Sequence, residues 1–305
     1  MEEPQEKRPL TVVSTDSLER IILAPEERRP AVLNLIESAR ERLRLSLFRC
    51  DDQAVLDALA AAVRRGVRVR ALLTSRARDS KQQLKGLHRS LKTLGVRVRR
   101  YADRVVRYHA KYIIVDDGPA LITSLNFTRR CFEATCDFLV VSGDSDVVTG
   151  LGRLFVADWR GIRYEPSDVP GHRLIVAPEQ ARRRFADLFE QATHSIRIID
   201  PKISDPAMLM RLKARAAAGV NVTVRSERTL GPFVSHGKLL IIDDSVAVVG
   251  SLSLSTLSLE FRRELAVVIR DQRSLSALDQ FWTSLPGGLT GGASGVLSGE
   301  PPHPG

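Results

Sequence analysis

Cysteine, aromatic residues and long apolar runs are all scarce in this chain of 305 residues. Its three cysteines, Cys50, Cys131 and Cys136, are too few and oddly numbered for a disulfide framework, and one Cys-x4-Cys pair is weak as a metal site. No run approaches the ~20 apolar residues of a transmembrane helix, and the charged start lacks the apolar core of a signal peptide. These absences predict reduced thiols and a cytoplasmic protein that contacts a membrane, if at all, from its inner face.

Basic residues, by contrast, are abundant. Aromatic residues make up only 5% of the chain and offer few platforms for stacked bases, but the net charge is +10. The excess is concentrated in residues 64–111, which hold sixteen cations and two acids. Within this block, residues 81–94 place leucines at helical spacing. Three interpretations of that helix stay open: contact with an anionic membrane, packing on the core with a basic face toward nucleic acid, or an ordinary solvated surface.

Two stretches share one polar motif, in which lysine follows histidine by two residues and aspartate follows the lysine by five. The motif residues are His109, Lys111 and Asp116 in the first copy and His236, Lys238 and Asp243 in the second. At about 5% usage each for lysine and aspartate, a given histidine qualifies roughly once in 400 tries. Two matches among six histidines are therefore not chance. A polar cluster follows each motif at the same offset, with the members Ser124, Asn126, Ser251 and Ser253.

A whole unit, and not only the motif, is duplicated. An Ile-x-Ala-Pro-Glu segment at residues 22–26 recurs at residues 175–179, an offset of 153, whereas the motif histidines are 127 residues apart. The copies therefore align with a gap of 26 residues, which places an insertion unique to the first copy inside the basic block. Self-similarity over this length predicts two similar lobes rather than a solenoid of short repeats.

Apolar periodicity predicts the same elements in each copy. Helices are predicted at residues 31–42, 54–64, 179–193 and 208–218, and Gly66 and Gly219 are expected to end the second helix of each copy. Strands are predicted at residues 44–48, 67–73, 112–115, 120–123, 195–199, 220–224, 239–242 and 246–249. Asp51 and Asp200 follow the first strand of each copy as acids in loops. Strands that alternate with helices predict an α/β sandwich in each lobe.

The pattern H-x-K-x4-D-x6-G-S-x-N resembles the phospholipase D superfamily, whose single active site is assembled from two such motifs. The resemblance covers residues 20–285 and implies two pseudo-symmetric α/β sandwich lobes in one chain. The predicted organisation is a charged tail at 1–10, a first phospholipase D-like lobe at 11–165, a second at 166–286, and a disordered Gly/Pro-rich tail at 287–305.

The chemistry that the resemblance implies is displacement at a phosphodiester without a metal or cofactor. Imidazole suits the nucleophile and the acid because its pKa lies near working pH. His109 is assigned as the nucleophile that forms a phosphohistidine, and His236 as the acid, as in several relatives; pseudosymmetry leaves the reverse assignment open. Lys111 and Lys238 share a strand face with their histidines, since side chains alternate, and are expected to bind one phosphate. Ser124, Asn126, Ser251 and Ser253 are expected to complete the phosphate site.

The acidic residues of the two copies fall into two groups. Asp116 and Asp243 lie some ~16 Å along an extended strand from their lysines, so they are predicted to be structural, as the family implies. Asp137 and Glu264 each lie 28 residues after a motif histidine and just before an apolar strand. They are candidates for orienting the imidazoles, with solvated strand ends as the alternative. Two positions depart from the family pattern, Thr123 in place of glycine and Ser253 in place of asparagine.

Three functions stay open from the sequence. A phospholipid phosphodiesterase or phosphatidyltransferase, similar to bacterial phospholipase D and cardiolipin synthase relatives, is preferred. A nuclease of the same superfamily fits the positive charge, but such nucleases are often single-motif chains that dimerise, whereas this chain carries both motifs. A non-catalytic protein that binds nucleic acid or membrane would leave the paired motifs unexplained. The predicted partner is a phospholipid or other phosphodiester substrate, with an anionic membrane surface and nucleic acid as further partners. The sequence does not predict an oligomeric state.

Overall fold

A computed structural model describes residues 19–75, 81–166 and 172–286. The tails predicted at residues 1–10 and 287–305 lie outside the described residues. The helices in the described part are α1 (Pro25–Glu37), α2 (Gln53–Arg64), α3 (Lys81–Thr93), α4 (Arg129–Glu133), α5 (Ser145–Arg160), α6 (Ala181–Gln191), α7 (Pro206–Ala217), α8 (Thr256–Phe261) and α9 (Gln272–Ser284). None of these helices has both the length and the apolar character that a membrane span requires.

Two mixed sheets form the centre of the protein. The first has the spatial order β1 (Glu19–Ile22), β9 (Leu139–Ser142), β7 (Ala120–Thr123), β6 (Tyr112–Val115), β2 (Arg42–Leu47), β3 (Arg68–Leu73) and β4 (Arg97–Arg100). The second has the order β10 (Leu174–Ala177), β17 (Arg262–Ile269), β16 (Val246–Gly250), β15 (Lys238–Ile242), β11 (Ser195–Ile199) and β12 (Asn221–Arg225). The sheets repeat each other strand for strand, except that β4 has no counterpart in the second. The predicted α/β class with two pseudo-symmetric lobes is confirmed. The lobe boundary at 165/166 stays a prediction.

Four short strands lie outside the two main sheet orders. They are β5 (Arg107–Tyr108), β8 (Thr135–Cys136), β13 (Thr229–Leu230) and β14 (Phe233–Ser235). Two of them, β5 and β14, come directly before the motif histidines and pair with strands of the opposite lobe.

Three apolar cores hold the layers together. The first lies between the two sheets, where residues such as Ile114 and Phe138 of the first lobe and Leu239 and Val267 of the second belong to one buried cluster. The other two cores lie outside the sheets, one under α1, α2 and α3 and one under α6, α7 and α8. This helix–sheet–sheet–helix arrangement buries both faces of each sheet, as the nearly continuous apolar sequences of β6 and β15 require.

The second helix of each lobe forms where the sequence predicts it. Asp52 caps α2 by accepting a hydrogen bond from the amide of Val55, and Asp205 caps α7 through the amide of Met208. Both helices run into a glycine with positive φ, 88° at Gly66 and 92° at Gly219.

The first helix of each lobe is shorter at its C-terminal end than predicted. The predicted helix at 31–42 is wrong at both ends, because α1 begins at Pro25, in the favoured first-turn position for proline, and ends at Glu37. The predicted helix at 179–193 is observed as α6, residues 181–191. In both lobes the next backbone amides are hydrogen-bonded to a motif aspartate, which draws the chain out of the helix and into a strand.

The insertion of the first lobe supplies α3 and β4. Leu87 and Leu91 of α3 are buried in the outer core of this lobe, whereas Leu84 is half-buried. Packing of these leucines on the core is therefore observed, and the partner of the basic face of α3, whether membrane, nucleic acid or solvent, stays a prediction. The three cysteines are all buried thiols, and burial raises the pKa of Cys50 and Cys136 to about 12.

Candidate active site

Two strand pairs that cross between the lobes position the motif histidines. Strand β5 pairs with the start of β17, and the amide of His109 donates to the carbonyl of Arg263 over 3.0 Å. Strand β14 pairs in the same way with β8, and the amide of Gly237 donates to the carbonyl of Cys136 over 2.6 Å. A Cβ on Gly237 would lie 2.7 Å from that carbonyl oxygen, so only glycine allows this approach. Each histidine is thereby placed beside the acidic residue of the other lobe.

The predicted acids contact the histidines in crossed pairs. Nδ1 of His109 lies 2.6 Å from Oε1 of Glu264, and Nδ1 of His236 lies 2.8 Å from Oδ1 of Asp137. Both carboxylates are fully buried, with side-chain exposures of 1% and 0%, so neither is a solvated strand end. A carboxylate at Nδ1 fixes the ring tautomer and leaves Nε2 for a reacting group. Each lobe therefore supplies a histidine to one pair and a carboxylate to the other.

The buried rings are neutral near neutral pH. Burial and the nearby Lys111 ammonium together lower the pKa of His109 to about 3, against the opposing effect of Glu264. Burial also lowers the pKa of His236, against the opposing effect of Asp137. Although burial raises the pKa of Glu264, its contact with His109 holds that pKa at about 2. A neutral His109 that donates its Nδ1 proton to a carboxylate has a free Nε2 lone pair, which a nucleophile needs.

The two motif lysines converge on the same place. Nζ of Lys111 donates to the carbonyl of His109 over 2.7 Å, and Nζ of Lys238 donates in the same way to the carbonyl of His236. Burial, with a smaller contribution from the charge of Lys238, lowers the pKa of Lys111 to about 7 against the opposing effect of Glu264. Lys111 in turn lowers the pKa of both histidines. Because such coupling falls steeply with distance, both motifs contribute to one electrostatic site.

Hydroxyl groups hold the two buried carboxylates in place. Asp137 accepts hydrogen bonds from Ser124 Oγ over 2.6 Å and from Thr135 Oγ1, and Glu264 accepts one from Ser258 Oγ. These donors help to keep both carboxylates ionised in spite of burial. Behind Asp137, the buried guanidinium of Arg28 donates to its backbone carbonyl and to those of neighbouring residues, which fixes the loop that carries it.

The predicted phosphate ligands are bound mostly to protein groups. Ser124 contacts Asp137, Ser251 donates to the carbonyl of Leu265, and Ser253 donates to Asp200. Asn126 differs, because within the described residues its buried Oδ1 has no hydrogen-bond partner. Contact of these four residues with a phosphate stays a prediction, and the observed role of Ser124 is to support the crossed carboxylate.

Three charged residues near the site were not predicted as site residues. Burial raises the pKa of Asp200, and the charge of Lys238 opposes this effect. Burial lowers the pKa of Lys202, and the charges of Lys238 and Arg262 lower it further. Arg262 Nη1 lies 3.6 Å from Oε1 of Glu264. The counterparts of Asp200 and Arg262 in the first lobe are the uncharged Leu47 and Thr135, whereas Lys202 corresponds to the basic Arg49. The only signal available was the position of Asp200 and Lys202 directly after a strand.

Comparisons with known proteins agree with this geometry. Residues 32–159 match the family model described as "Cardiolipin synthase, PLD-like domain". The predicted resemblance to the phospholipase D superfamily is confirmed. It is 30% identical over 140 residues to cardiolipin synthase A of Pseudomonas aeruginosa, a match that takes in 45% of this chain. The chain thus spans little more than a quarter, 28%, of the length of that relative.

Solved structures with the superfamily fold extend the likeness to both lobes. Polyphosphate kinase of Porphyromonas gingivalis aligns with a TM-score of 0.71 at 18% identity, covering 91% of this chain and 50% of the kinase. Phosphatidylserine synthase of Haemophilus influenzae aligns with a TM-score of 0.69 at 12% identity, covering 86% of this chain and 85% of the synthase. At these identities the likeness concerns the fold alone.

Both departures from the superfamily pattern have local compensation. At Gly250 a Cβ would lie 2.3 Å from the carbonyl oxygen of Leu265, so β16 and β17 approach too closely for a side chain. Its counterpart Thr123 is accommodated in the first lobe, where its hydroxyl donates to the carbonyl of Phe138 over 3.1 Å. Ser253, in place of asparagine, donates to the buried Asp200 over 3.0 Å. The smaller Ser253 side chain is therefore found next to the Asp200 carboxylate, which has no counterpart in the first lobe.

The motif aspartates tie loops to strands. Asp116 accepts hydrogen bonds from the amides of residues 40, 41 and 42, and Asp243 from those of residues 193, 194 and 195, at 2.7 to 3.0 Å. Both adopt the left-handed conformation, with φ of 43° and 48°. These contacts are structural, because each aspartate lies at the opposite end of its strand from the motif histidine. The catalytic roles of the remaining predicted residues stay predictions.

Replacement of Asp243 by alanine is expected to lower the free energy of unfolding by about 3 kcal/mol more than replacement of Asp244. Both positions have positive φ, 48° and 52°, so the backbone strain of an alanine is matched, but Asp244 is largely exposed and, within the described residues, its carboxylate pairs with Arg197. Urea unfolding at neutral pH measures the difference. Although burial raises the pKa of Asp243, its backbone donors hold that pKa at about 2. Its contribution should therefore be lost as pH falls from about 4 toward 2, and equal stabilities of the two variants at pH 7 would contradict the assignment.

One group of side chains in the described residues has the donor atoms of a metal site. Ligand atoms of Cys131, Asp137 and His236 lie within 4.8 Å of one another. The carboxylate of Asp137, however, already accepts from Ser124, Thr135 and His236. A metal ion there would have to displace the hydrogen bond that orients His236, so these residues fit the imidazole–carboxylate pair better than a metal.

Basic residues of the first lobe lie at two ends of the first sheet. Helix α3 begins near the end of the sheet that carries the motif, whereas Arg42, Arg44, Arg68 and Arg70 line a cleft at the start of β2 and β3. Strand β2 runs from Arg42 toward the end of the sheet that carries the motif histidines, so this cleft lies about 20 Å from them. The arginine cleft does not contribute to binding of a phosphate at the crossed pairs.

Proposed function

We propose that this protein is a phospholipase D-type enzyme that hydrolyses or transfers the phosphodiester of a phospholipid through a phosphohistidine, without a metal ion. The single observation that carries the proposal is the pair of crossed histidine–carboxylate contacts, with the charge of the buried Lys111 acting on both rings and that of Lys238 acting on His236. The substrate class rests on the matched family description, which names cardiolipin synthase, and on the relative in Pseudomonas aeruginosa.

In the proposed first step, Nε2 of His109 attacks phosphorus while the bond from phosphorus to the headgroup oxygen breaks. His236 gives a proton to that oxygen, so the headgroup leaves as a neutral alcohol. A neutral His236 must first gain this proton. Binding of the anionic phosphodiester nearby favours the imidazolium, because an opposite charge raises the pKa of a base.

In the second step, water or an acceptor alcohol attacks the phosphohistidine and gives its proton to His236. The phosphorus–nitrogen bond breaks and His109 is released as the neutral ring, which keeps its Nδ1 proton hydrogen-bonded to the Glu264 carboxylate. With water the product is a phosphatidic acid, and with an alcohol it is a new phosphodiester. The geometry supports both outcomes equally, so acceptor choice is left to the assay.

The charge of the site matches a phosphodiester. Its described cations are Lys111, Lys238, Lys202 and Arg262, and its carboxylates are Asp137, Glu264 and Asp200. The formal balance is one positive charge when both rings are neutral, which complements the single negative charge of a phosphodiester. Donors fixed around such an anion stabilise the further charge that develops in the transition state. Exposed cations on α3 suit peripheral contact with an anionic membrane.

Treatment with EDTA is expected to leave headgroup release from phosphatidylglycerol vesicles within about twofold of the untreated rate, because no step requires a metal. The assay uses the purified full chain, with vesicles in one arm and oligonucleotides in the other. Added ethanol reports transfer by forming phosphatidylethanol. Oligonucleotide cleavage with inert vesicles would favour the nuclease, and loss of all turnover in EDTA, restored by one divalent metal, would point to the Cys131 cluster instead.

A further inference from the structure

A cavity of about 420 Å³ opens beside the catalytic site of the first lobe. It lies between α2, α3 and the loop after β2, and its volume is within the range of about 300–1,000 Å³ typical of small-ligand pockets. Gln83, Leu84, Leu87 and Ser90 of α3 form one wall. Because α3 belongs to the insertion, the second lobe has no equivalent wall, and the cavity lies on only one side of the pseudo-dyad.

Phe48 connects this cavity to the catalytic site. Its ring lines the cavity and also packs on His109, with 4.4 Å between the ring centroids. Nζ of Lys111 lies 5.3 Å from the centroid of the same ring. On another side the cavity is lined by Thr128, two residues beyond Asn126 of the motif cluster. The cavity is therefore separated from His109 and Lys111 only by the ring of Phe48.

The lining combines apolar side chains with two cations and one carboxylate, that of Asp51. Its apolar side chains are only half-buried and belong to Phe48, Leu56 and Leu84. Its cations are Arg49 and Arg130. When an apolar ligand removes half-buried apolar side chains from water, the free energy of the complex falls and binding is favoured. A ligand with an apolar body and an anionic end fits this lining better than a nucleotide chain, which would place charge on the leucine wall.

Resting on the proposed function, we infer that the cavity is the subsite for the acyl-glycerol part of the phospholipid. The phosphate then lies at Lys111 and Lys238, and the headgroup extends toward His236 on the side that lacks the insertion. The insertion thus gives a pseudo-symmetric site a single substrate orientation, and it selects diacyl substrates over small phosphodiesters.

The test compares phosphatidylglycerols with dioleoyl and dibutyryl chains as substrates of the full-length protein. Gln83→Trp is expected to fill the cavity and to lower the ratio of kcat/KM for the long-chain over the short-chain lipid by about tenfold or more. Leu84→Gln is expected to lower the same ratio by making the wall polar. Gln82→Trp is the matched control, because Gln82 is exposed on the same helix outside the cavity, and it should leave the ratio within about twofold.

The outcomes separate this inference from the proposed function. If wild type cleaves both lipids and Gln83→Trp and Leu84→Gln keep the wild-type ratio, the subsite is wrong while the phospholipid function stands. If wild type cleaves neither lipid but cleaves bis(p-nitrophenyl) phosphate or an oligonucleotide, the phospholipid function fails and the inference fails with it. Circular dichroism and thermal unfolding of each variant establish that a changed ratio comes from a folded protein.

Discussion

Replacement of His109 by alanine is expected to lower phosphodiester turnover by about 10⁴-fold or more, since loss of a nucleophile removes the covalent route entirely. Replacement of His236 by alanine should cause a loss of similar size with a phospholipid, whose alkoxide leaves poorly without a proton. The measurement is headgroup release over a time long enough to detect the residual rate. His194→Ala is the control, because His194 is exposed and distant in the chain from both crossed pairs.

The assignment of the two histidines can be separated with an activated leaving group. p-Nitrophenolate needs no acid, so the His236→Ala variant should still form a phosphohistidine from a p-nitrophenyl phosphodiester and release one equivalent of nitrophenol. Hydrolysis of that intermediate should then be slow, because the base that activates water is absent. The His109→Ala variant should show no burst. A burst in His109→Ala and none in His236→Ala would reverse the assignment and make His236 the nucleophile.

The duplicated pattern contained most of what the site needs, but not the way its halves meet. The motif histidines and lysines, the structural role of Asp116 and the acids at a fixed offset all follow from spacing and strand geometry. The crossing of the pairs depends on β5 and β8, each two residues long, and such strands have no periodicity to detect. Their partners lie more than 90 residues away in the chain, so no local signal could have matched Glu264 with His109.

Other differences from the predictions arise where one tertiary contact overrides local propensity. Residues 38–41 look helical, but Asp116 binds the amides of residues 40 and 41 and the helix ends at Glu37. Asp51 and Asp200 look equivalent as acids after a strand, yet Asp51 accepts from the amide of Arg129 whereas the buried Asp200 accepts from Ser253 and the amide of Leu254. In each case the sequence marks a polar residue correctly, and only the fold decides which donor it contacts.

Replacement of the crossed carboxylates by their amides should have the next largest effect. Glu264→Gln and Asp137→Asn are each expected to lower kcat by about 10²- to 10⁴-fold, because an amide no longer fixes the tautomer that leaves Nε2 free. The two variants should differ in their pH profiles. Asp137 raises the pKa of His236, so its loss should move the alkaline limb, on which the acid loses its proton, to lower pH. Glu264 acts on His109 instead, and its loss should leave that limb in place.

Nitrogen-15 NMR of labelled histidine tests the crossing itself. Glu264→Gln should shift the Nδ1 resonance of His109 and leave that of His236 nearly unchanged, and Asp137→Asn should do the reverse. The contacts of 2.6 and 2.8 Å join residues of opposite lobes, so each variant changes a ring that its own lobe does not supply. A shift confined to the histidine 28 residues upstream of the substituted acid would mean that each lobe completes its own pair. In that case the lobes would hold two separate sites, and the shared phosphate on which the mechanism depends would have no place to bind.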